Sequence, residues 1–240
     1  MALAARTLGS EGDDMPTFDT AGPVTAAIKI GFGDVRVAAS DRADTAVEVR
    51  PTNGSSKADV KAAEDTQVEF ADGELRVTGP EKRQMFGKGG SVDVVVELPA
   101  GSRVTASLGM GPLRCEGRLG ECRLATESGQ IEVGEVEGAT ELKSSHGDIA
   151  VAKAHAALTA KTSYGNVRVG EVARDSVDLE TAYGEIEVGV RSGVAAKLDV
   201  NTKHGAVRNE LAEVDAPDRS EPAVHLRAQT QSGDIVVRRA

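Results

Sequence analysis

Tryptophan is absent, and aromatic residues make up only 2% of the 240-residue chain. That scarcity excludes a core built around large rings, so Val, Ile, Leu, Ala and Thr must fill the interior, as suits a narrow all-β fold. Cysteine is nearly as scarce. Cys115 and Cys122 are too few for a disulfide framework or a thiolate cage, and they read as core residues of a reducing compartment. No apolar run approaches the roughly 18 residues of a transmembrane helix, so no membrane insertion is expected. Basic side chains are outnumbered, with 28 Lys and Arg against 38 Asp and Glu, for a net charge of −10. A nucleic-acid partner is disfavoured on that ground, because phosphate binding needs a basic face. Phosphate loops, nucleophile elbows and HExxH motifs are all missing, and no catalytic residue is assigned.

What the chain does have is repetition. CRLATESGQIEV, TELKSSHGDIAV, LTAKTSYGNVRV and VDLETAYGEIEV follow one another with glycines at 129, 147, 165 and 184, at intervals of 18, 18 and 19 residues. Before each glycine, positions −7, −5 and −3 are apolar or small and alternate with polar residues, which marks a strand with one buried face. After it, positions +2 and +4 are Ile131 and Val133, Ile149 and Val151, Val167 and Val169, Ile186 and Val188. Each repeat reads as one rung that cannot bury its apolar face alone, and stacked rungs enclose a continuous core. The expected fold is all-β, a parallel β-solenoid of the right-handed β-helix kind with about 18 residues per rung.

Along the chain, residues 1–14 read as a disordered tail without a secretory signal, which points to the cytoplasm. Residues 15–101 read as an N-terminal β cap with degenerate repeats around Gly33 and Gly73, extra strands near 46–50 and 91–98, and a short helix at 57–65. The pattern leaves open whether this cap forms full rungs or antiparallel pairs. Residues 102–240 read as the regular solenoid, with a projecting loop at 80–91 before it and an inserted loop at 209–222 within it. The rungs are expected to stack in sequence order.

Equivalent positions of a solenoid line up as columns, so a binding function would show as a stripe. The position before the glycine collects His146, Tyr164, Tyr183 and His204, the candidate binding stripe. It reads either as a contact surface for a protein or a sugar, or as a ladder of rings stacked for stability. Acidic and amide residues after the glycine (Asp148, Asn166, Glu185) fit turn chemistry better than a calcium column. Charges at +3 suggest cross-rung pairs at Arg114/Glu132 and Arg168/Glu187/Arg208. No set of metal ligands is seen to converge, and no cofactor is expected.

The segment LPAGSRVTASLGMG, followed by repeats of the form T-x-x-G-x-I-x-V, resembles the bacterial "putative adhesin" β-strand-repeat domain, a family of unknown function. The resemblance covers residues 16–240 and implies a right-handed, non-enzymatic β-solenoid with no catalytic residues to carry over. The expected role is a non-catalytic cytoplasmic scaffold or protein-interaction module. A surface adhesin or carbohydrate-binding helix and a self-assembling filament subunit are the alternatives.

Overall fold

The computed structural model describes residues 16–80, 89–211 and 223–240. The tail at 1–14 lies outside them, as does most of the loops expected at 80–91 and 209–222. The described residues are mostly strand, with a single short helix, wound into a β-solenoid whose coils each give one strand to a first sheet and the next strand to a second.

Chain order begins with β1 (Thr17–Asp19) and β2 (Thr25–Ser40), a long strand whose first half lies in the first sheet and second half in the second. There follow β3 (Asp44–Pro51), helix α1 (Lys57–Glu64), β4 (Gln67–Ala71), β5 (Glu74–Thr78) and β6 (Val92–Pro99). The regular coils are the pairs β7 (Arg103–Met110) and β8 (Leu113–Leu119), β9 (Cys122–Ser128) and β10 (Ile131–Val136), β11 (Thr140–His146) and β12 (Ile149–Ala154). They continue with β13 (Leu158–Tyr164) and β14 (Val167–Val172), then β15 (Asp175–Tyr183) and β16 (Ile186–Val190). The last coils are β17 (Ala195–His204) with β18 (Val207–Asn209), and β19 (Ala223–Ser232) with β20 (Ile235–Arg239).

Pairing between the regular coils is parallel and in register. Leu142 lies between Leu124 and Ala160, and Ile149 between Ile131 and Val167. Strict alternation buries the expected residues: Leu124, Leu142, Leu158, Ile131, Ile149 and Ile186 are among the most completely enclosed side chains. Each such side chain contributes roughly 1.5–3 kcal/mol of burial. No ring is needed in an interior this narrow, and the Phe18–Phe70 stack, centroids 4.8 Å apart, packs against the edge of the core.

The corner glycines are where the backbone turns from the first sheet to the second. Gly147 has φ +145°, and a Cβ built on it would lie 2.0 Å from the carbonyl oxygen of Gly129 in the coil before. Gly165, at φ +148°, would meet the carbonyl of Gly147 at 2.3 Å. Glycine therefore stands on glycine up the corner, because any side chain would push the coils apart.

The N-terminal region resolves the alternative that the pattern left open, since it contains both arrangements. β5 and β6 make a coil parallel to β2, whereas β4 pairs antiparallel with β5, and β3 antiparallel with β6. One expectation is corrected here. Gly73 is not a coil corner: Asp72 (φ 50°) and Gly73 (φ 75°) form the two-residue turn of the β4–β5 hairpin, for which Asp-Gly is suited. The helix appears where expected, capped by the Ser56 side chain, with Ala62 and Ala63 buried against β3 and β6. Helix and antiparallel strands together cover the first end of the stack.

Stacking in sequence order is also corrected. β19 pairs with β15 on one side and β17 on the other, and β20 lies between β16 and β18. The β19–β20 coil is thus inserted beneath the coil that precedes it, leaving β17–β18 outermost among the described residues. The first end mirrors this, because β2 lies between the β5–β6 coil and the β7–β8 coil. Neither terminal coil of the chain is a terminal coil of the stack. The outermost β17–β18 coil is correspondingly thinly covered: Leu198 and Val200 are half-buried and Val207 is exposed.

Two outcomes are expected. Gly147→Ala should cost at least about 3 kcal/mol in urea unfolding, since the clash adds to a backbone conformation that L-residues avoid; a loss under 1 kcal/mol would count against the corner constraint. In hydrogen exchange, amides of β19–β20 should be protected nearly as well as β13–β16, while β17–β18 exchanges faster despite lying farther from the C-terminus. Equal protection of the two coils would contradict the inserted order.

Candidate interaction surface

The corner that carries the candidate stripe is built by two hydrogen bonds per coil. The glycine N–H donates to the carbonyl of the residue before the next coil's glycine, as in Gly129 N to His146 O and Gly147 N to Tyr164 O, both 2.8 Å. The hydroxyl at position −3 donates to the glycine carbonyl of the preceding coil: Ser144 to Gly129 (3.2 Å), Thr162 to Gly147 (3.0 Å) and Thr181 to Gly165 (2.9 Å). In the last coils the same ladder follows spatial rather than sequence order, with Thr230 bonding Gly184 and Thr202 bonding Gly233. These inward hydroxyls are satisfied, as buried polar groups must be. The exception is Thr126 at the start of the ladder, whose buried Oγ1 has no partner among the described residues.

Two residues beyond each hydroxyl, the side chain turns outward. In-register parallel pairing holds equivalent positions about 4.8 Å apart, close to the stacking distance of planar rings. His146 and Tyr164 stack with centroids 5.1 Å apart and planes 4° from parallel, and Tyr164 and Tyr183 do so at 5.1 Å and 7°. Both tyrosines remain 52% exposed. The ladder reading is therefore met, and the ladder lies at the solvent-exposed surface.

The fourth member of the stripe does not join. Tyr183 pairs with Ser232, and Ser232 in turn with His204, so His204 stands two strands away. The inserted coil separates them. At the other end Ser128 lies beside His146 and separates it from exposed Met110. The structure thus groups His146, Tyr164 and Tyr183, with a serine-sized gap at each end of the stack.

Beside this ridge, the outer face of the first sheet holds a groove of about 870 Å³ crossing several coils, bordered by Lys29, Lys143, Lys161, Glu127 and Glu180. Two of its cations are engaged locally. Lys161 lies 2.9 Å from Glu180 and 3.5 Å from Asp178, a bond to Glu180 foremost raising its pKa, and Lys143 pairs with Glu141.

The remaining columns are structural. Asp148 Oδ1 accepts from Asn166 N and Asn166 Oδ1 from Glu185 N, each at 2.8 Å, which is the backbone-directed chemistry expected of that column. Arg114 bridges Glu132 (3.2 Å) and Asp34 (2.9 Å) as a cross-coil pair. The expected Glu187–Arg208 pairing is replaced: Glu187 binds Arg238 and Arg208 binds Asp234, again because the C-terminal coil intervenes. Cys115 and Cys122 are free and buried. Burial raises both thiols, Cys122 to about 12, so neither is a nucleophile near neutral pH. Missed at the level of sequence is a convergence of Glu135, Glu137 and His155, whose ligand atoms lie within 4.8 Å of one another. Its only signal was an acidic residue and a histidine at the same distance, +8, from successive glycines.

Residues 28–238 match the family Toastrack DUF4097. The chain belongs to this family. The Toastrack assignment agrees with the resemblance drawn from the LPAGS segment and the glycine-centred repeats. Among solved structures, the Toastrack chain is similar to a putative adhesin from Bacteroides fragilis NCTC 9343, at 13% identity and TM-score 0.45, covering 95% of this chain and 98% of that one. It is also similar to a putative cell adhesion protein from Clostridium sporogenes ATCC 15579, at 13% identity and TM-score 0.39, covering 95% and 99%. A putative lipid binding protein from Parabacteroides distasonis ATCC 8503 matches at 9% identity and TM-score 0.27, covering 95% and 96%. No curated protein matches the chain.

The hydroxyl ladder yields a paired test. Thr162→Val should lose about 1 kcal/mol, because the Gly147 carbonyl forfeits its donor, whereas Thr126→Val should be neutral or stabilising by up to about 1 kcal/mol, because it removes an unpaired buried oxygen. Chemical denaturation of both variants reads the difference, and an equal loss at the two sites would refute it.

Proposed function

We propose that this Toastrack chain is a non-catalytic β-solenoid scaffold of the cytoplasm that presents the His146–Tyr164–Tyr183 ridge to a protein partner. The observation that carries the reading is the ring stack itself: parallel rings on a rigid corner, half open to solvent. Tyrosines held in this way offer a large contact area at little cost in side-chain entropy, which is why they are favoured in binding surfaces. The net charge of −10 favours a partner with basic side chains, and a guanidinium stacks well on a tyrosine face. A second reading, assembly into filaments, draws on one observation, the thinly covered β17–β18 coil at the end of the stack.

The test compares the wild-type chain with a Tyr164→Ala/Tyr183→Ala double variant in pull-down and size-exclusion experiments. Partner recovery should fall at least roughly tenfold with the far-ultraviolet spectrum unchanged; undiminished recovery would refute the ridge as the contact surface. Cell fractionation tests the compartment, and recovery on the outer surface would favour the adhesin or carbohydrate-binding reading. Electron microscopy of the purified chain decides the filament reading.

A further inference from the structure

On the side of the solenoid away from the ring ridge, β10 leads out of the second sheet through Glu135, Val136 and Glu137. Val136 is buried, and the two-residue period of extended chain therefore sends Glu135 and Glu137 outward together. In the next coil Lys153 pairs with Glu135 and Ala154 with Val136, so His155 follows beside Glu137. The His155 backbone N–H bonds the Val136 carbonyl at 2.9 Å, fixing this juxtaposition. His155 Nε2 lies 2.6 Å from Glu135 Oε1, and the imidazole is only 17% exposed. The Glu137 carboxylate completes a triangle of ligand atoms no more than 4.8 Å apart, and it has no side-chain partner among the described residues.

We infer that Glu135, Glu137 and His155 form a binding site for a divalent transition-metal cation, with zinc the best match. One imidazole and two carboxylates are a suitable donor set, at metal–ligand distances of about 2.0–2.2 Å. At those distances a tetrahedral ion holds its nitrogen and oxygen ligands roughly 3.3 Å apart. Replacing the proton between His155 and Glu135 by the ion thus opens that pair by less than about 1 Å. The coils on either side place Gly120 next to Glu137 and Ala173 next to His155, so small residues flank the triangle, while the Arg174 guanidinium donates to the His155 backbone carbonyl at 2.7 Å. Arg118 and Lys153 flank Glu135 along its column, and their charge opposes any cation. The imidazole is what favours zinc over calcium or magnesium, which take oxygen ligands.

The experiment is isothermal titration of untagged full-length protein with zinc chloride, repeated with calcium and magnesium, alongside thermal unfolding. One zinc per chain and a raised Tm are expected, with no heat from calcium or magnesium. His155→Ala and the double variant Glu135→Gln/Glu137→Gln should each weaken binding more than about tenfold. His225→Ala should leave it unchanged. The metal-free circular dichroism spectra of the variants establish that they fold. Absence of stoichiometric zinc binding by the wild-type chain would overturn the inference, as would full affinity retained by His155→Ala.

Discussion

Everything in this molecule depends on coils approaching closely enough at one corner for the carbonyl of one glycine to touch the Cα of the next. The space there is filled by backbone alone, as the 2.0 Å contact that a Cβ at Gly147 would make demonstrates. Once that approach is allowed, the strands on both sides of the corner fall into ladder distance, and the pairing register of two sheets is set together. The threonine and serine hydroxyls then lock the corner by donating to the same carbonyls. Apolar burial supplies most of the driving force in such a fold, but burial alone tolerates a slip of two residues, which keeps the same face inward. The glycine corner does not.

Close stacking also decides what the surface can display. A side chain at any outward position has its counterpart in the adjoining coil about 4.8 Å away, so chemistry appears in columns. Rings in a column stack, as His146, Tyr164 and Tyr183 do. Opposite charges pair, as Arg114 does with Glu132. A ligand set for a metal needs something less regular, and it arises where the chain leaves the ladder, at Glu137 and His155.

The coil pattern, the buried positions, the helix and the ring ladder were all legible in the sequence, because each depends on local alternation or on a fixed spacing from glycine. What could not be read was the order in which equivalent coils stack. β17 and β19 carry the same alternation of inward residues, so the first sheet alone does not decide which of them lies against β15. The signals were the 28-residue interval between Gly205 and Gly233, long enough to step over a coil, and polar Asn209 at the inward position where the last repeat has Val237. That one ambiguity displaced His204 from the stripe and Arg208 from Glu187. Gly73 misled for a different reason: alternating strands around a glycine describe a hairpin as well as a corner, and the Asp72 before it was the sign of a hairpin. Such resemblance between local signals is inherent in a chain built from short strands.

The inserted position of β19–β20 has a consequence for how the chain is made. As the polypeptide emerges during synthesis, β17 and β18 appear before the strands they finally rest upon, since their neighbours in the finished stack are β19 and β20. A chain interrupted before Ala223 therefore lacks the layer on which β17 and β18 come to rest. The native arrangement of this end of the solenoid can form only after the strand Ile235–Arg239 has left the ribosome, so β17 and β18 wait for a later segment of the chain before reaching their final place.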